Sequence, residues 1–136
     1  MQTHEKTDFG PDPLVINIPA ATRRNRNFRT AVWTGGHLQM TLMRIPVCGD
    51  IGLEIHHDED QLIRIEEGRA RIQMGSSKET LDYERNACAG CAVFVPAGTW
   101  HNITNIGNGP LKLSSVYAPP HHPLGTIHKT KEDARD

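Results

Sequence analysis

Short runs of alternating apolar and polar residues, broken by Gly, Pro and Asn, fill most of the chain. Alternation with a period of two marks strands that bury one face. The pattern predicts strands over 28–34 and 38–45, joined by a turn at Gly35-Gly36. Residues 51–56 alternate cleanly, with Ile51, Leu53 and Ile55 on one face and Glu54 and His56 on the other. Strands over 62–65 and 70–74 follow, bent apart at Gly68, then a weaker strand over 78–83. A short apolar strand over 92–95 ends at Pro96-Ala97-Gly98, and strands over 100–105 and 111–117 flank Gly107-Asn108-Gly109-Pro110. By parity, Gln61, Ile63 and Ile65 point inward. No window carries a sustained apolar stripe at helical spacing. Such elements predict an all-β sandwich or barrel rather than a parallel α/β sheet.

The ends break the pattern. Residues 1–27 read as an arm and lead-in, loose through the two prolines at 11 and 13, with a basic run at 23–29 taken as a solvated approach to the first strand. The barrel occupies 28–118. The tail, 119–136, opens on Pro119-Pro120-His121-His122-Pro123, which cannot continue a central strand. It is predicted to dock on the barrel or a partner and to end as a charged tail or short helix.

At 136 residues the chain suits one domain with a working core. A formal charge of −1 gives no electrostatic reason for nucleic acid or an anionic membrane as a partner. No apolar run approaches the roughly 18 residues of a spanning helix, and the polar start lacks a signal region, so a cytoplasmic location is expected. Three cysteines cannot all pair within one chain, which fits reduced thiols. Cys88-Ala89-Gly90-Cys91 has the spacing of a redox or zinc pair, but no second such pair accompanies it, and chance spacing is the better reading.

The chemistry gathers in two segments. Glu54 and His56 leave one face of their strand, and Gln61 and His101 can complete a ring of oxygen and nitrogen donors. Such a ring suits a divalent transition metal with positions open to substrate. The neighbouring acidic turn, Asp58-Glu59-Asp60, reads as solvated, His57 as outward-facing, and Trp100 as packing on the barrel.

Gly90, Pro96, Gly98, His101 and Asn105 have the spacing of the second conserved motif of the cupin family, which the segment resembles at all five positions. The first segment resembles the family's first motif with changes. Glu54 and His56 stand at its two His positions, Gln61 at its Glu and Gly68 at its Gly, while its leading Gly falls on Cys48. The resemblance implies a single-domain cupin jelly-roll β-barrel with Glu54, His56, Gln61 and His101 as metal ligands. The altered set keeps the ligand charge of the usual three-His, one-Glu site and moves it toward oxygen donors. Mn, Fe, Ni, Co and Zn all suit it, the oxygen content favouring Mn or Fe. The tail resembles that of a subgroup of small cupins, which dimerise, so a homodimer is implied. The function implied is metal-dependent chemistry of isomerase, lyase or dioxygenase type on a small polar metabolite. The alternative is a non-catalytic binding or sensing cupin with a metal-free polar pocket. Catalytic residues beyond the ligands are not identified by the motifs.

Overall fold

The computed structural model describes residues 6–134. Nine strands are described: β1 (Arg29–Thr34), β2 (Gln39–Ile45), β3 (Asp60–Glu67), β4 (Arg69–Gly75), β5 (Tyr83–Cys88), β6 (Ala92–Val95), β7 (Trp100–Asn105), β8 (Leu111–Ala118) and β9 (Ile127–His128). They form two antiparallel sheets, a six-stranded one in the order β6-β3-β8-β2-β1-β9 and a three-stranded one in the order β5-β4-β7. This is the expected all-β jelly roll.

Alternation drives the packing. In β3, Gln61, Ile63 and Ile65 are buried, as parity requires, and their partners across the sheet include Tyr117, Ser115 and Leu113 of β8. Met43, Ile45, Ile63, Ile65, Ile72, Ile103, Leu111 and Leu113 form the core between the sheets. The core fills one end of the barrel. Toward the other end the inward positions turn polar, with Gln39, Thr41, Gln61, Ser115, Tyr117 and His101 all buried.

Several expectations need correction. Residues 51–56 do not form a continuous strand. Only Asp50 and Glu54 make single bridges, to Thr104 and His101, because Gly52 takes a left-handed φ of 95° that interrupts the pleat. The apolar face expected there dissolves with the strand: Ile51 packs on the core while Leu53 is 40% exposed. The weak strand at 78–83 is a turn bridged at Ser77 and Thr80, and the real strand is β5, a polar, exposed segment held by its ladder to β4. A helix, α1 (Ile18–Arg24), stands in the lead-in. Asn17 caps it by accepting from the Ala20 amide, Pro lies in its first turn, and Arg23 and Arg24 sit at its C-terminal end where the dipole favours them. Seven residues are too few for periodicity to reveal it.

Neither end is loose within the described residues; positions 1–5 of the arm and 135–136 of the tail lie outside them. The Phe9 amide donates to the Val32 carbonyl. Asp8, 3% exposed, accepts from Thr34 Oγ1 (2.6 Å), the Gly10 amide (3.0 Å) and the Gly125 amide (2.9 Å), tying arm, first hairpin and tail together. The tail adds β9 to the edge of β1 and runs on into a 3-10 turn (Lys131–Asp133).

Candidate metal centre

Two backbone links assemble the site. Glu54 and His101 exchange both peptide hydrogen bonds (3.0 and 2.9 Å), so their side chains leave one face of a two-residue antiparallel bridge. The Gly98 amide donates to the His56 carbonyl at 2.8 Å, stitching the Pro96–Gly98 turn to the first segment. The two motifs thus meet through their main chains before any side chain is considered.

Glu54, His56 and His101 then converge. Glu54 Oε1 lies 3.2 Å from His56 Nε2 and 3.6 Å from His101 Nε2, and the three donors fall within 4.8 Å of one another. Metal–donor bonds of about 2.0–2.2 Å place neighbouring donors about 3.0 Å apart in an octahedron and about 3.4 Å in a tetrahedron. The 3.2 Å separation falls in that range and the 3.6 Å one lies just above it. The His101 ring is held in the orientation a ligand needs. Its Nδ1 lies 3.0 Å from the Thr99 carbonyl, which can only accept, so Nδ1 carries a proton and, in the neutral ring, the lone pair is on Nε2. That Nε2 is buried with no hydrogen-bond partner. Burial pushes the Glu54 carboxyl upward, but the imidazoles of His101 and His56, when they turn a proton toward it, outweigh burial and hold the group well below the ordinary carboxylate range.

Gln61 is buried in β3, opposite Tyr117 of β8. Its Nε2 donates to Ser115 Oγ at 2.7 Å, which fixes the amide orientation and leaves Oε1 buried and unpartnered. Its free oxygen is the chemistry expected of a fourth, neutral ligand.

Residues beyond the four singled out by the motifs also reach the site. Glu59 does not sit in a solvated turn. Its side chain is 12% exposed, because Oε1 takes a 2.6 Å contact from His121 Nδ1 and lies 3.9 Å from His56 Nδ1. The His121 ring packs edge-on against that of His56, their centroids 4.2 Å apart, and His56, Glu59 and His121 form a second group of donors sharing one imidazole with the first. The tail histidines are placed by Gln39, fully buried, whose Oε1 accepts from the His121 and His122 amides (3.1 and 2.9 Å). Its Nε2 donates to the His122 carbonyl and to Thr34 Oγ1. Burial, aided by the positive charge of Arg29, pulls the His122 pKa down to about 3, so this imidazole is neutral. Tyr117 contacts the rings of His56, His121 and His122, and burial raises its phenol. Arg29, from the basic run read as solvated, is in fact 5% exposed and lines the adjoining cavity. Only the unusual density of His and Pro in the tail signalled this layer. His57 is exposed, as expected. Trp100 lies half-buried with the Lys78 ammonium 6.0 Å from its ring. Cys88 and Cys91 are free thiols on either side of the β5–β6 turn.

Comparison with known proteins agrees with this geometry. A family model described as a cupin domain matches residues 41–117. The protein YrkC of Bacillus subtilis is 58% identical over 127 residues, which span 93% of this chain and 68% of YrkC. The solved structure of BH2720 from Bacillus halodurans superposes with a TM-score of 0.93 at 56% identity, covering 94% of this chain and 97% of that one. A predicted oxalate decarboxylase from Thermotoga maritima, 22% identical over 62% of this chain and 69% of its own, shares the fold at a TM-score of 0.55.

Proposed function

Since the chain belongs to the cupin family, we propose that Glu54, His56, Gln61 and His101 hold a divalent transition metal, and that the chain is a metal-dependent enzyme of a small polar metabolite. The observation that carries this reading is the pair of atoms left facing each other in the barrel. His101 Nε2, a buried lone pair, stands 3.6 Å from the Glu54 carboxylate with no hydrogen bond between them. With Thr99 taking the Nδ1 proton, the Nε2 lone pair of the neutral ring faces the carboxylate, and two acceptors held that close repel unless a metal ion or a second ring proton joins them. Gln61 Oε1, also unpartnered, supplies a further donor.

A bound divalent ion supplies Lewis-acid polarisation of a substrate oxygen. The chain's own groups do the rest. Ser115 aims the Gln61 amide, Thr99 aims the His101 ring, and Glu59 holds the His121 imidazole against His56 at the wall of the cavity. Isomerase, lyase and dioxygenase chemistry are all compatible with that donor set.

The test is metal analysis of purified protein reconstituted separately with Mn, Fe, Ni, Co and Zn. One ion per chain is expected, falling below about a tenth in His101→Gln and Glu54→Gln. At a free metal concentration of about a hundred times Kd, binding adds about 2.7 kcal/mol to stability, so chelation lowers Tm in the native protein and not in the variants. No stoichiometric uptake of any of the five, with Tm indifferent to chelator, overturns the proposal and favours the metal-free binding alternative.

A further inference from the structure

Beside the carboxylate–histidine cluster lies a cavity of about 200 Å³ lined by Arg29, Leu53, Glu54, His121 and His122 among others. Arg29 is its anomaly. The side chain is 5% exposed, yet none of the ion pairs among the described residues includes it. Nη1 meets His128 Nδ1 at 3.1 Å, Nη2 has a thioether, Met43 Sδ, at 3.9 Å, and Nε is buried with no partner at all. Tyr117 and Arg29 also interact, and the phenol is kept protonated by its burial.

A guanidinium is always charged and presents five donors in a planar fork. Taking one out of water with its Nε unsatisfied and no counter-ion among the described residues is strongly unfavourable, so something must offset it. Glu54, the one carboxylate lining the cavity among the described residues, is turned toward the imidazoles of His56 and His101, 3.2 and 3.6 Å away.

We propose that Arg29 is the binding residue for the carboxylate of a small organic acid, held on the guanidinium in this cavity with its remaining oxygens toward Glu54, His56 and His101. The second half of that statement rests on the metal reading above; the first does not. A planar, singly charged carboxylate fits one guanidinium fork, whereas a phosphate would bring a second negative charge toward the Glu54 carboxylate. At roughly 30 Å³ for each water-sized unit, the cavity takes an acid of about two to four carbons.

The experiment is a nuclear magnetic resonance titration of the full chain, metal-stripped and zinc-loaded. It follows the Arg29 Nε–H and the amides of Gly52, Leu53 and His121. The probes are acetate, its neutral isostere acetamide, and inorganic phosphate at constant ionic strength. Acetate is expected to shift these signals in both forms, with acetamide and phosphate at least tenfold weaker. Arg29→Gln is expected to raise the acetate Kd more than tenfold with zinc stoichiometry unchanged, and Arg29→Lys to fall between. Equal binding of acetate and acetamide, tighter binding of phosphate, or undiminished acetate binding by Arg29→Gln each overturns the proposal. If Arg29→Gln does not fold, the acetate–acetamide comparison on the native chain still decides. Loss of the metal reading registers separately, as absent zinc uptake with acetate selectivity intact.

Discussion

Replacing Gln39 with Met tests whether the tail is held over the site by one side chain. Gln39 is fully buried at the start of β2 and makes four hydrogen bonds: to Thr34 Oγ1 (2.9 Å) and the His122 carbonyl (2.8 Å), and from the His121 and His122 amides (3.1 and 2.9 Å). Three of the four lead to the tail. Met has nearly the same shape and none of the polarity. At about 1 kcal/mol net for each bond the loss is about 4 kcal/mol, reduced to about 3 by the more favourable burial of the thioether. The tail's own docking free energy sets a ceiling, because once it lifts off its amides regain water. The opening equilibrium of the tail should therefore rise about a hundredfold. Hydrogen exchange reads it directly. The amides of residues 121–128 should lose about two orders of magnitude of protection, while those of β3 and β8 in the large sheet keep theirs apart from any change in global stability. Unchanged protection at His121 and His122 would show that β9 pairing and Asp8 suffice to hold the tail, and would refute the reasoning.

Two further outcomes follow from local geometry. Asp8 is held below the ordinary carboxylate range: burial raises it, but the Thr34 hydroxyl and the Gly125 and Gly10 amides outweigh this. Its contribution is therefore present above its unfolded value near pH 4 and fades as pH falls through the lower folded value. Asp8→Asn should cost about 2–3 kcal/mol in urea unfolding at pH 7 and progressively less below pH 4; a penalty constant from pH 7 to pH 3 would sink the assignment. Gly68 and Gly98 both adopt left-handed φ, 98° and 78°, but a Cβ on Gly68 would meet the Pro110 carbonyl oxygen at 2.9 Å, whereas one on Gly98 meets nothing within 4 Å. Gly98→Ala should cost about 1 kcal/mol and Gly68→Ala clearly more, and equal urea midpoints for the two variants would contradict that.

The fold was legible because its signal is repeated. Each of β3, β7 and β8 alternates over enough residues to show its buried face, and the motif glycines sit where turns demand them. Glu54 and His56 were paired by strand parity, and they do converge, yet through a different cause. The strand is interrupted at Gly52, and the convergence comes from the Glu54–His101 bridge and the Gly98–His56 hydrogen bond, both long-range contacts that no local pattern encodes. The same limit explains what was missed. Arg29 looks like one more residue of a basic run until β9 and the tail close over it, and Glu59 looks like part of a solvated acidic turn until His121 arrives from the far end of the chain. Gln39 differs from any strand-end glutamine only in what lies above it. Local alternation places a residue on a face, whereas the tail decides which of those faces becomes interior. In this chain the proposed ligand set is carried by the barrel motifs, and the cavity beside it is completed by residues that no motif covers. Relatives that share Glu54, His56, Gln61 and His101 but differ at Arg29 or across 119–128 should therefore keep the metal donors and change what binds next to them.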